Sequence, residues 1–180
     1  PHSLKTTTIK PSGTVSLLAG VTPGIHYPYS EFYFRTVRFQ EDSPLLIKLA
    51  EAGYKIETDK YSPRTKVVYF PIKEELFDRA ASDVSMWEQL EITAQMQEYW
   101  ADNQVSVTVT FKDHEAKEIV KALELYENRL KSVSFLPYKE HGFEQAPYIP
   151  ITASEYETAI AGITKIKFTT DTHEVTEKFC

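Results

Sequence analysis

The sequence predicts an α/β fold in which strands and helices alternate. Three observations carry this. Residues 105–111 alternate cleanly, with Val105, Val107, Val109 and Phe111 on one face and Ser106, Thr108 and Thr110 on the other. Helix-start signals flank that strand, at Ser85 before it and at Asp113 after it. Further strand-like and helix-like stretches follow one another along most of the chain, which implies crossover connections. This pattern alone leaves an open sheet and a closed barrel as alternatives.

Taken in order, Thr8 and Ile9 favour extended backbone, and Pro11 ends that short strand. Residues 31–39 set Phe32, Phe34 and Phe39 among polar partners and read as a strand. Asp42-Ser43-Pro44 opens a helix with Pro at its first position. Leu45, Leu46, Leu49 and Ala50 form its apolar face, and Gly53 ends it. Residues 65–72 read as a strand stopped near Pro71. Ser85-Met86-Trp87-Glu88 is a capping-box pattern for a helix running to about Trp100. Leu90, Ile92, Ala94, Met96 and Tyr99 give that helix a wide apolar face, so it is expected to be buried against more than one neighbour. Trp87 and Trp100 are expected in the core. Asp113 is expected to cap a helix carrying Ile119, Val120, Leu123, Leu125 and Tyr126. Residues 131–136 read as a short strand, 137–151 as a loop rich in proline and aromatics, and Ser154-Glu155-Tyr156-Glu157 as a helix start. From Thr169 the chain turns polar and reads as a tail.

The richest chemistry lies in Lys10-Pro11-Ser12-Gly13-Thr14-Val15-Ser16. Gly13 permits a tight turn, and Thr14 or Ser12 can cap a short helix running into Leu17 and Leu18. A helix start offers unpaired N–H groups, and the Ser12, Thr14 and Ser16 hydroxyls add donors, so phosphate is the natural guest. An ordinary capped turn has the same local pattern. Lys10 fits either a charge contact or a solvated surface.

Composition narrows the partners. A net charge of −6 and a pI near 5.4 argue against nucleic-acid or anionic-membrane surfaces. No apolar run reaches the roughly 20 residues of a membrane span. A single cysteine, Cys180, excludes an internal disulfide and a Cys-rich zinc site, and fits a cytoplasmic location. The five histidines are scattered, and no metal site is expected. For His26, Glu144, Gln145 and Tyr148 structural roles are expected. The chain begins at Pro1 and stops abruptly at Cys180, and it is expected to be the C-terminal part of a longer protein.

Lys10-Pro11-Ser12-Gly13-Thr14-Val15-Ser16, with Ala19-Gly20-Val21-Thr22-Pro23-Gly24-Ile25-His26 after it, resembles the substrate-phosphate loop of ribonucleotide reductases. The form resembles that of the class II, adenosylcobalamin-dependent enzymes of the ribonucleoside-triphosphate type. Glu31-Phe32-Tyr33-Phe34-Arg35-Thr36-Val37-Arg38-Phe39 resembles the segment that follows this loop in the family. Tyr99-Trp100-Ala101-Asp102-Asn103-Gln104 with the strand after it, Lys131-Ser132-Val133-Ser134-Phe135-Leu136-Pro137 and Gly142-Phe143-Glu144-Gln145-Ala146-Pro147-Tyr148 resemble later blocks in the same order.

The resemblance implies the C-terminal portion of a ten-stranded α/β barrel over residues 1–168, with a redox tail beginning at 169–180. It implies that Ser12, Gly13, Thr14, Val15 and Ser16 hold the phosphates of a ribonucleotide, with Gly13, Thr14 and Val15 acting through backbone N–H groups. It implies reduction of the ribose 2′-OH by thiyl-radical chemistry initiated by adenosylcobalamin. Thioredoxin or a similar dithiol is the implied reductant, and the remainder of the same polypeptide would supply the radical and reducing cysteines. Cys180 stands where the first cysteine of a tail redox pair is expected. Where class I enzymes carry adjacent tyrosines for radical relay, this chain has Ser134 and Phe135, which favours the cobalamin class. The competing readings are a stand-alone phosphate- or nucleotide-binding α/β module without catalysis, and an interaction domain whose turn is only structural.

Overall fold

The computed structural model describes residues 2–12, 15–18, 20–138 and 144–166. In chain order the elements are α1 (Val15–Leu18), β1 (Phe32–Gln40), α2 (Pro44–Glu51), β2 (Lys55–Thr58), β3 (Thr65–Lys73), α3 (Met86–Tyr99), β4 (Thr108–Phe111), α4 (Ile119–Tyr126), β5 (Ser134–Pro137), β6 (Tyr148–Pro150) and α5 (Ala153–Ala161). Short 3-10 turns occupy Ala81–Asp83 and Asp113–Glu118. The α/β class expected from the sequence is observed. The described residues fall into two compact units, one from the stretches up to 31 and from 73 to 138, the other from 32–72 and from 144 onward.

The first unit carries the parallel ladder. β4 and β5 pair in parallel, from Thr108 opposite Ser134 to Phe111 opposite Pro137, and α4 connects them. Ile9 adds a parallel bridge to Val105. The inward residues are those the alternation selects: Val105, Val107 and Val109 are buried. Val107 and Val109 meet Met86, Leu90 and Ala94 of α3 and Ala122 and Tyr126 of α4, with Trp87, Phe111, Val133 and Phe135 packed around them.

Ser85 caps α3 as predicted, accepting from the Glu88 N–H, but the Glu88 carboxylate turns away from the cap toward Arg79. Met96, Tyr99 and Trp100 do not join the core; Trp100 is 60% exposed. The helix ends before Trp100, so its wide apolar face is buried only near the N-terminal half. Nor does Asp113 cap α4. The buried Glu115 carboxylate instead accepts the Lys112 and Met86 N–H groups, closing a 3-10 turn and joining it to the start of α3. On α4, Ala122 and Tyr126 are buried and Ile119 packs against the same core, while Val120, Leu123 and Leu125 are exposed.

The second unit is a sheet in the order β2-β3-β1-β6 with α2 and α5. In β1 the most buried residues are Tyr33 and Thr36 rather than the phenylalanines. Both faces of β1 are occupied: on one the Phe32 ring meets Tyr156 of α5 and Phe34 stands edge-on to Tyr69, and on the other the Tyr33 ring meets Tyr148. β3 runs through Pro71 to Lys73. The β2 ladder stops at Lys55 opposite Tyr69, so the missing proline N–H removes no bond from it. Two strands were not predicted. β2 forms a hairpin with β3, closed by Asp59 accepting the Tyr61 and Ser62 N–H groups. β6 lies within the stretch expected to be a loop and pairs antiparallel with β1.

α2 begins at Pro44 as predicted. Gly53, at φ +90°, receives the chain as it leaves, and a Cβ there would sit 2.1 Å from the Gly162 carbonyl oxygen. α5 starts two residues earlier than expected, with Thr152 and Glu155 forming a reciprocal capping box.

Candidate functional site: the Lys10–Ser16 turn

The run Thr6-Thr7-Thr8 anchors the arm that leads into the turn. The Thr6 N–H and hydroxyl reach one Asp102 carboxylate oxygen, the Thr7 hydroxyl donates to the Trp100 carbonyl, and the Thr8 hydroxyl donates to the Gln104 carbonyl. Ile9 then pairs with Val105, and its carbonyl accepts the Ser106 N–H at 2.9 Å. A β-branched run with three hydroxyls is thereby fixed along residues 100–106.

Beyond Pro11 the chain leaves this ladder. The Ser12 hydroxyl oxygen accepts the Ser16 N–H at 2.8 Å, which ties Ser12 to the first turn of α1. Its own O–H remains able to donate. Val15 is exposed and Lys10 is exposed. Ser16 is 8% exposed, and its hydroxyl oxygen is buried with no hydrogen-bond partner among the described residues. Buried hydroxyls are ordinarily paired because desolvating them is costly. α1 is a single turn, too short to carry a long-helix dipole. The Ser16 carbonyl accepts the Val21 N–H, turning the chain back, and Gly20 and Gly24 take φ near +60°. Gly24 lies against Ile9, Lys10 and Pro11, where a Cβ would come within 3.4 Å of the Pro11 nitrogen. Gly13 and Thr14 lie outside the described residues, as does Cys180.

The returning segment forms one wall of a cavity of about 410 Å³, together with Leu76, Phe77, Arg79 and Ile92. Sequence reading missed the polar cluster at its wall, where Tyr27 and Arg79 of the lining meet Glu88. Arg79 grips both Glu88 carboxylate oxygens, at 2.6 and 3.2 Å, and Tyr27 donates to the same carboxylate at 3.0 Å. Burial and then the bond to Glu88 raise the Tyr27 phenol above its ordinary value, while the Arg79 fork holds Glu88 below the usual carboxylate range. Arg79 is therefore neutralised locally. No local signal joins residues 27, 79 and 88; the fold alone brings them together.

The other flagged polar residues make structural contacts. Glu144 pairs with Lys60, and Tyr148 stacks under the Arg35 guanidinium at 4.5 Å. Gln145, at φ 57°, bonds Lys60 N–H, the Thr58 carbonyl and Glu57. Among the described residues no group of three or more His, Cys, Asp or Glu side chains is gathered to hold a metal ion. No described helix is long and apolar enough to cross a membrane.

A parallel strand–helix–strand unit with a serine-rich turn at its edge places the first unit in the α/β class, and comparison with known proteins gives its kinship. No protein-family model matches the chain. An adenosylcobalamin-dependent ribonucleoside-triphosphate reductase of Euglena gracilis is 48% identical over 162 residues, covering 88% of this chain and 22% of that protein. The enzyme of the same description from Levilactobacillus brevis is 44% identical over 181 residues, covering 98% and 23%. A crystal structure of a B12-dependent, class II ribonucleotide reductase superposes with a TM-score of 0.78 at 39% identity, covering 94% of this chain and 24% of that one. The chain belongs to the class II, adenosylcobalamin-dependent ribonucleotide reductase family, as one segment of it. It spans less than a quarter of the length of these relatives. Its fold is the matching part of their α/β barrel.

Proposed function

We propose that this segment supplies the substrate phosphate-binding loop and late barrel strands of a reductase that converts ribonucleoside triphosphates to 2′-deoxyribonucleotides. The observation that carries the reading is the Ser16 hydroxyl, buried with no partner among the described residues, in a turn whose sequence resembles the family's phosphate loop. Ser12, Gly13, Thr14, Val15 and Ser16 hold the phosphates through hydroxyls and N–H groups that donate. Adenosylcobalamin, held by the remainder of the polypeptide, supplies radical initiation; no described residue of this segment is assigned to it. Residues 1–168 belong to the catalytic barrel, and 169–180 begins a tail on which Cys180 passes reducing equivalents from thioredoxin or a similar dithiol to the active site. The reaction is cytoplasmic. The test is Gly13→Val in the full-length enzyme, which blocks close backbone approach and strains the turn. A folded variant is expected to lose nucleotide affinity, seen in Kd and KM. Unchanged constants would remove this turn from the site.

A further inference from the structure

Along one edge of the strand at 105–111, successive N–H groups need partners at Ser106, Thr108 and Thr110. Ser106 donates to the Ile9 carbonyl at 2.9 Å. In a parallel ladder the next acceptor would be the carbonyl two residues on, at Pro11, but there the chain has turned away into the phosphate turn. The Thr108 N–H goes instead to the imidazole of His26, at 3.1 Å from Nε2. Thr110 is met by the Gln89 side chain. An imidazole nitrogen that accepts a backbone N–H carries no proton, so the other nitrogen, Nδ1, holds it and donates to the Pro23 carbonyl at 2.8 Å. His26 is thus a neutral ring in a defined tautomer that replaces a missing carbonyl of the ladder. Both arms of the turn thereby end on the same strand edge two residues apart, and Gly24 closes the neck between them against Pro11.

We infer that His26 is a positioning residue for substrate binding: its Nε2 satisfies the N–H released when the chain leaves the sheet at Pro11, and so fixes the returning arm of the phosphate loop. It touches no phosphate itself. The inference rests on the reading of residues 12–16 as the phosphate loop. Two amide variants separate the ring's two bonds. In His26→Gln the amide oxygen reaches the Nε2 position and can accept from Thr108, while the Pro23 carbonyl keeps the His26 backbone N–H. In His26→Asn the shorter amide can reach Pro23 but not Thr108. In the full-length reductase, His26→Asn is expected to raise KM for the nucleotide roughly 5- to 30-fold, the loss of one partly buried backbone partner, with a much smaller change in kcat. His26→Gln is expected to restore most of the lost affinity. Equal impairment in both variants, wild-type KM in His26→Asn, or a fall in melting temperature with KM unchanged would overturn the inference. Gly13→Val in the same assay distinguishes the two failures. If it weakens binding while His26→Asn does not, the loop stands and the positioning role falls; if neither does, the loop reading itself falls.

Discussion

Replacing Ser16 by alanine should move stability and substrate affinity in opposite directions. Ser16 is 8% exposed, and its hydroxyl has no partner among the described residues. Leaving a hydroxyl buried and unpaired costs about 1–3 kcal/mol. Removing it in the substrate-free protein should therefore leave stability unchanged or raise it by about 1 kcal/mol. If the hydroxyl donates to a phosphate oxygen when substrate binds, its loss forfeits a hydrogen bond to a charged group, about 1.5–3 kcal/mol, or roughly 10- to 150-fold in Kd. Thermal melting without ligand and nucleotide titration of the full-length enzyme give the two readings. Thr93→Val supplies the contrast: its hydroxyl is buried but paired with the Gln89 carbonyl at 2.7 Å, so that variant should lose about 1 kcal/mol of stability and no affinity. A Ser16→Ala protein that is destabilised, or that binds nucleotide as tightly as before, would refute the reasoning.

Other outcomes follow from single contacts. Glu91 is gripped by both Arg129 nitrogens, at 2.8 and 2.9 Å, and accepts from Tyr126. Arg129 foremost, with Gln95 and Tyr126, holds its carboxyl down at about 2 from an ordinary 4.5. The stability this carboxylate contributes is therefore present above about pH 4.5 and lost as pH falls toward about 2, and Glu91→Gln should flatten that part of a stability–pH profile. Gly53→Ala places a Cβ 2.1 Å from the Gly162 carbonyl oxygen at φ +90°, and should cost about 3 kcal/mol or more in denaturant unfolding of the second unit. Cys180→Ser should slow thioredoxin-driven multiple turnover but spare the first turnover of pre-reduced enzyme, with partial rescue by a small dithiol; a lost first turnover would place the residue inside the active site.

Features legible in the sequence were those written locally. The alternation of Val105, Val107 and Val109 gave the buried strand face, Pro44 gave the start of α2, and Ser85 gave the cap of α3. What was misread depended on distant partners. β2 is four residues, Lys55-Ile56-Glu57-Thr58, without a strong apolar alternation, and it exists because β3 pairs with it. β6 hides in a proline-rich stretch for the same reason. Trp100 looked like core by residue type, yet the helix stops before it and its ring stays exposed. In the site, the serines and glycine of the turn were visible as residue types suited to an anion. His26 meets Thr108 across 82 positions, and Arg79 meets Tyr27 across 52, so no local pattern could have joined them.

Hydrogen exchange of the full-length enzyme, with and without a ribonucleoside triphosphate, tests the central claim most directly. If the turn holds the substrate's phosphates through its N–H groups, a peptide covering residues 12–18 should exchange at least about tenfold more slowly with nucleotide bound. The slowing should concentrate at Gly13, Thr14 and Val15, because the Ser16 N–H is already bonded to the Ser12 hydroxyl. Inorganic tripolyphosphate should reproduce part of that protection. Unchanged exchange across residues 12–18, with nucleotide-dependent protection confined to other parts of the enzyme, would contradict the account.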